Sequence, residues 1–107
     1  MTKLTWQFSG NETSRTDVLA CVEKGWHPLI NTLIDDLFDL GWDGTVAQVK
    51  EKFGGLRFYI GAGSDEVYDK INEAENKSYS LCEECGQPGK VRHGGWLKTL
   101  CDVHNND

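Results

Sequence analysis

The chain has 107 residues, 38% of them hydrophobic, with four Trp and a formal net charge of −6. That length and apolar content support one folded unit with a modest core and exclude a disordered chain. No apolar run approaches the ~18 residues of a membrane span, and the opening Met-Thr-Lys-Leu-Thr-Trp lacks the apolar stretch of a secretory signal, so the expected compartment is the cytoplasm.

In chain order, Leu4, Trp6 and Phe8 alternate with polar residues, the pattern of a short strand or of an arm packed on the core. Asp17 to Lys24 read as one or two helical turns ended by Gly25, with Cys21 as a small buried residue in that helix. A longer helix starts at Pro28, whose missing amide hydrogen suits a first helical position. Leu29, Ile30, Leu33, Ile34, Leu37, Phe38 and Leu40 recur at spacings of three and four, and Gly41 stops the helix. Asp35, Asp36 and Asp39 share its polar face and crowd its C-terminal half, where the helix dipole disfavours negative charge. That face is either solvated or a docking surface for cationic groups.

From Thr45 to Ile60 the period changes to two. Val49, Glu51 and Phe53 share a face of one strand, Leu56, Phe58 and Ile60 a face of the next, and Gly54-Gly55 fall at the turn of a hairpin. Lys50, Lys52 and Arg57 make residues 45–63 net +2 in an acidic chain, so they are either salt-bridged or a second contact surface. Ser64 caps a further helix with Asp65 and Glu66 in its first turn and Val67, Ile71, Ala74 and Ser78 on its inward stripe, running to about Ser80. Three Gly-Trp pairs, at Trp26, Trp42 and Trp96, suit tryptophans folded back onto the element they follow.

The helix delivers the chain into Cys82-Glu-Glu-Cys85-Gly86, and fifteen residues after Gly86 comes Cys101-Asp-Val-His104. Each half places two soft ligands three positions apart, within reach of one ion. Three thiolates and an imidazole complete a tetrahedral Zn²⁺ shell, with about 2.3 Å to sulfur and 2.0 to 2.1 Å to nitrogen. Buried thiols or a disulfide are the plainer alternative, and His93 is the rival fourth ligand. Residues 90–100 suit a hairpin turning near Gly94-Gly95, and the second ligand pair should open a short helix. The expected architecture is α+β: helix, β-hairpin, helix, then a C-terminal treble-clef or ribbon-like zinc finger. Residues 1–80 and the finger at 81–107 would form one unit.

The residues Gln48-Val-Lys-Glu-Lys-Phe-Gly-Gly-Leu-Arg-Phe-Tyr59, Ser80-Leu-Cys-Glu-Glu-Cys-Gly86, Pro88-Gly89 and Gly95-Trp-Leu-Lys-Thr-Leu-Cys-Asp-Val-His104 together resemble a family of small uncharacterised proteins of bacteriophages and prophages. The resemblance spans roughly residues 25–104. It implies a viral accessory setting, with a host protein as partner and inhibition by contact, for example of a defence system such as CRISPR–Cas.

Three function classes follow. A non-enzymatic binding protein would use zinc as scaffolding and meet its partner through Asp35, Asp36 and Asp39 or through Lys50, Lys52 and Arg57. A nucleic-acid-binding finger would use Lys90, Arg92, His93 and Lys98 with Trp96 as a stacking platform, against the repulsion of the acidic chain for phosphates. A metal-finger nuclease would need His93 as general base and Asn105 at a second metal, yet the additional ligand that chemistry requires is missing. No paired-carboxylate cleft, Ser/His/Asp set or phosphate-binding glycine loop is present, so an enzyme is not expected.

Overall fold

In a computed structural model of the protein, residues 3–105 are described; residues 1–2 and 106–107, the ends of the expected unit, lie outside the described residues. Strand β1 (Leu4–Trp6) pairs antiparallel with β2 (Glu12–Thr13) and parallel with β3 (Thr45–Lys52), and β4 (Gly55–Ile60) completes a sheet in the order β2-β1-β3-β4. The N-terminal alternation is therefore a true strand through Leu4 and Trp6. Phe8 falls outside it, exposed in the turn to β2.

Helix α1 (Arg15–Leu19) is capped by the Ser14 hydroxyl, which accepts from the Asp17 amide. It begins and ends earlier than the expected 17–24 segment, because Ser14 offers the better cap. Lys24–Trp26 then form a separate 3₁₀ turn with Gly25 inside it, not at a helix end. This break leaves Cys21 exposed, contrary to its reading as a core residue.

Helix α2 (His27–Asp39) holds Pro28 in its first turn and buries Ile30, Leu33, Ile34 and Leu37. Its end is set by two bonds, Gly41 N–H to Phe38 C=O and Trp42 N–H to Leu37 C=O, with Gly41 at φ +92°. That is a Schellman motif, and it turns Trp42 back against Phe38 (centroids 5.0 Å) and Phe58 (6.2 Å). Trp26 is also fully buried, whereas Trp96 is 73% exposed and departs from the expected packing.

The β3–β4 turn sits one residue earlier than the glycines suggest. Gly55 pairs with Lys52 as a strand residue, and Phe53-Gly54 make the two-residue connection with φ of +54° and +84°. Gly55 must stay in the strand because the Tyr79 ring lies on it; a Cβ there would come within 2.3 Å of that ring. Phe53 is consequently a turn residue, not a strand neighbour of Val49 and Glu51. A register shift between Val46 and Gln48 lets Val46 and Val49 both face inward despite their odd spacing.

Helix α3 (Asp65–Ser78), capped by Ser64, buries the expected stripe of Val67, Ile71, Ala74 and Ser78. With α2 it covers the sheet face formed by Val46, Val49, Leu56 and Phe58. It also seals the outer edge of β4. The Leu56 amide donates to Ser78 Oγ and the Phe58 amide to the Glu75 carboxylate, both at 2.9 Å. These two donors point away from β3 and would otherwise present an open sheet edge.

The finger follows as a hairpin of β5 (Lys90–His93) and β6 (Leu97–Leu100), turning through Gly94–Trp96. It is bonded to the 3₁₀ turn: Gly25 N–H donates to Glu83 C=O at 2.8 Å and Trp26 Nε1 to Leu81 C=O at 3.0 Å. The architecture is α+β with a C-terminal Cys/His cluster. Among the described residues no helix is long and apolar enough to cross a membrane.

Candidate metal centre

Cys82 and Cys85 flank the tight turn that follows α3. Leu81 and Pro88 form a bridge beneath it, the Cys82 amide donates to Gln87 C=O at 2.8 Å, and the Gly86 amide to Cys82 C=O at 2.8 Å. Gly86 takes φ +80°, which a β-carbon would disfavour. Such a turn aims backbone amides at sulfur. Cys101 leaves β6 directly into a single turn, Asp102–His104, closed by Asn105 N–H to Cys101 C=O at 3.1 Å. Within the described residues that turn replaces the short helix expected after Cys101. Arg92 holds it from β5, bonding Leu100 C=O at 3.1 Å and the Asp102 carboxylate at 2.7 Å.

Cys82 Sγ, Cys85 Sγ, Cys101 Sγ and a ring nitrogen of His104 all lie within 4.8 Å of one another. The Cys85–Cys101 sulfurs are 3.7 Å apart, and His104 Nδ1 stands 3.6 Å from Cys82 Sγ and 3.2 Å from Cys101 Sγ. Tetrahedral Zn²⁺ with ordinary bond lengths requires edges of about 3.8 Å between sulfurs and about 3.6 Å between sulfur and nitrogen. The donors sit close to that pattern. A disulfide requires about 2.05 Å between sulfurs, and all four cysteines are free.

The electrostatics divide the four residues, favouring ionised Cys82 and Cys101 and protonated Cys85 and His104. Burial opposes ionisation of Cys82, but the amides of Cys101, Glu84 and Cys85 outweigh it and hold the thiol down to about 6. Burial likewise opposes ionisation of Cys101, and the His104 amide and ring overcome it and lower its pKa. His104 is raised in turn by the sulfurs of Cys101 and Cys82. Around Cys85 the Gln87 amide lowers the pKa, yet burial and the two neighbouring sulfurs prevail and raise it. Such a cluster strains against holding several negative charges without a cation, and a divalent ion supplies one. Four ligands fill the shell of a tetrahedral ion.

No family model, curated protein or solved structure matches the chain.

His93, the rival ligand, is exposed at the end of β5 and outside the cluster. The residues expected to meet a partner are divided. Asp35 is bonded to Arg15, Asp36 borders the cleft between α2 and α3 with Lys70 and Lys77, and Asp39 is exposed at the end of α2. Lys50 and Arg57 stand directly opposite each other on the sheet face turned away from α2, with Lys52 at the same strand end. Aspartates and hairpin cations therefore occupy opposite sides of the sheet and do not form one surface. A hydrogen bond with Tyr79 raises the pKa of Arg57 against the opposing effect of burial, and Glu75 adds to the rise.

Sequence reading missed Glu83 and Thr99. Glu83 lies between the first two ligands and is 3% exposed, accepting the Thr99 amide at 3.0 Å. Adjacent glutamates in a ligand turn resemble solvated charges, and nothing in their spacing distinguishes the buried one from its neighbour.

Proposed function

We propose that this chain is a non-enzymatic binding protein whose C-terminal finger closes around a structural zinc ion and whose surface engages a partner protein. The observation that carries this reading is the four-donor cluster, whose sulfur and nitrogen spacings leave a tetrahedral ion no position for water or substrate. Zinc suits three soft thiolates and one imidazole. In this reading the ion ties the turn after α3 to the end of β6, adding folding free energy to a small core.

The net charge of −6, with one further negative unit when three thiolates bind a divalent ion, supports a protein partner over nucleic acid. The phage-type resemblance supplies the setting: a host protein, inhibited by occupancy of its surface, with defence systems as the class of target. The test is affinity capture by the zinc-loaded protein from cell lysate, with and without nuclease treatment, alongside native mass spectrometry. One zinc per chain and a captured protein that survives nuclease are expected. Absence of metal refutes the scaffold, and capture lost on nuclease treatment refutes the protein partner.

A further inference from the structure

Two hairpin tips meet beside the finger. Gly54 at the β3–β4 tip packs against the backbone of Lys98 in β6, and Gly94–Trp96 form the tip of the finger hairpin. Between them runs a groove of about 520 Å³, lined by Glu51, Lys52, Phe53, Gly95, Trp96 and Leu97. Its two aromatic side chains are 65% (Phe53) and 73% (Trp96) exposed.

Phe53 is the single non-glycine residue with positive φ among the described residues. A two-residue turn with both φ positive favours Asn, Asp or Gly at that position, and a bulky residue there is strained. The strain is held from both sides: Glu51 accepts the Gly54 amide at 2.7 Å, and the Thr99 hydroxyl donates to Gly54 C=O at 2.6 Å. The ring gains little burial in return. Strain maintained by surrounding bonds at an exposed position points to use of that side chain.

The chemistry of the groove selects its occupant. Lys52 Nζ already stands 5.6 Å from the Phe53 ring centroid, so this π-face accepts a cation. Beside Trp96 the groove opens into a recess of about 450 Å³ that carries Glu23, Glu51 and Glu83, against Lys98 as its cation. None of the three carboxylates makes a salt bridge among the described residues. Glu51 and Glu83 each accept one backbone amide, from Gly54 and Thr99, and Glu83 is buried. Exposed aromatic faces beside carboxylates that carry no salt bridge complement a planar cation that stacks and donates hydrogen bonds.

We propose that this groove seats an arginine side chain of an extended segment on the partner protein, stacked on Phe53 and Trp96 and paired with Glu51. This rests on the reading of the chain as a binding protein and names the site and the chemistry of its partner. Phosphates of nucleic acid would meet Glu23 and Glu51 instead.

The experiment titrates the zinc-loaded full chain with a fluorescein-labelled heptapeptide, Gly-Ser-Leu-Arg-Leu-Ser-Gly, read by anisotropy. The comparison probes are the same peptide with citrulline, a neutral isostere, in place of arginine, and an oligothymidylate. The arginine peptide should bind at least about tenfold more tightly than either, and Trp96→Ala should weaken it by about tenfold or more. Glu51→Gln, which keeps an acceptor for Gly54, should weaken the arginine peptide and leave the citrulline peptide unchanged. Phe53→Gly separates function from folding, since it should raise the melting temperature by relieving the turn while binding falls. Equal binding of the arginine and citrulline peptides, tighter binding of the oligonucleotide, no binding at millimolar peptide, or indifference to Trp96→Ala each overturns the proposal. A protein captured equally by wild type and Trp96→Ala overturns the groove while leaving the binding-protein reading intact; absence of any captured protein overturns that reading itself.

Discussion

The hydroxyl of Thr99 donates to the carbonyl of Gly54 at 2.6 Å across 45 residues of sequence. Thr99 is fully buried, and its backbone carbonyl also accepts the Glu83 amide. One residue thus joins the Cys82–Cys85 turn, the finger hairpin and the tip of the sheet hairpin, the first through its backbone and the last through its side chain.

Thr99→Val keeps shape and removes that donor. The buried Gly54 carbonyl then loses its partner, at a cost of about 1–3 kcal/mol. Denaturant unfolding should show a lower midpoint at unchanged slope and unchanged metal content. An unaltered midpoint would mean that the finger does not hold the hairpin tip.

Replacing a ligand should be more damaging than replacing its rival. Cys101→Ser and His104→Ala each break the four-donor set and should lose the metal, with about 3 kcal/mol or more of stability and a fall of over ~10 °C in Tm. His93→Ala, at the exposed end of β5, should leave both unchanged. Native mass spectrometry paired with thermal unfolding decides. Metal retained in His104→Ala and lost in His93→Ala would exchange their roles.

Burial pushes the Glu83 carboxyl up from its ordinary 4.5; the Thr99 amide works against this, as does Lys98, while Glu51 and Glu23 reinforce it. A carboxyl raised by folding favours the protonated native state, so its favourable contribution is complete below the unfolded pKa and is lost as pH rises through the folded one. At neutral pH the ionised group costs stability. Glu83→Gln preserves an acceptor for Thr99 and should melt higher than wild type at pH 7, the gap narrowing as pH falls toward 5. A gap that is constant or widens on acidification would contradict the assigned environment.

Gly25 is where the finger meets the rest of the chain. A Cβ there would come within 2.1 Å of Cys82 C=O and 2.5 Å of the Glu83 backbone, whereas at Gly94 and Gly95 it would meet nothing within 4 Å. Gly25→Ala should therefore destabilise at the upper end of the ~1–3 kcal/mol typical of overpacking. Gly95→Ala should be nearly neutral. Equal Tm values for the two variants would place the finger away from the 3₁₀ turn.

The main elements and the members of the Cys/His cluster were legible because their signals are local. Pro28, the three-four spacing through Leu37 and Gly41 specify α2 within one segment; Ser64 and the stripe to Ser78 do the same for α3. Two ligand pairs at three-residue spacing announce themselves without reference to a fold. Tertiary structure alone decided the rest. Gly55 reads as a turn residue until the Tyr79 ring, two dozen positions later, requires the space where its side chain would stand, and this moves Phe53 into the turn. The bulge after Val46, the burial of Glu83 beside its more accessible neighbour Glu84, and the separation of the aspartates from the hairpin cations likewise depend on which surfaces meet. Periodicity reports which face of an element is apolar; it carries no information about what another element will press against that face.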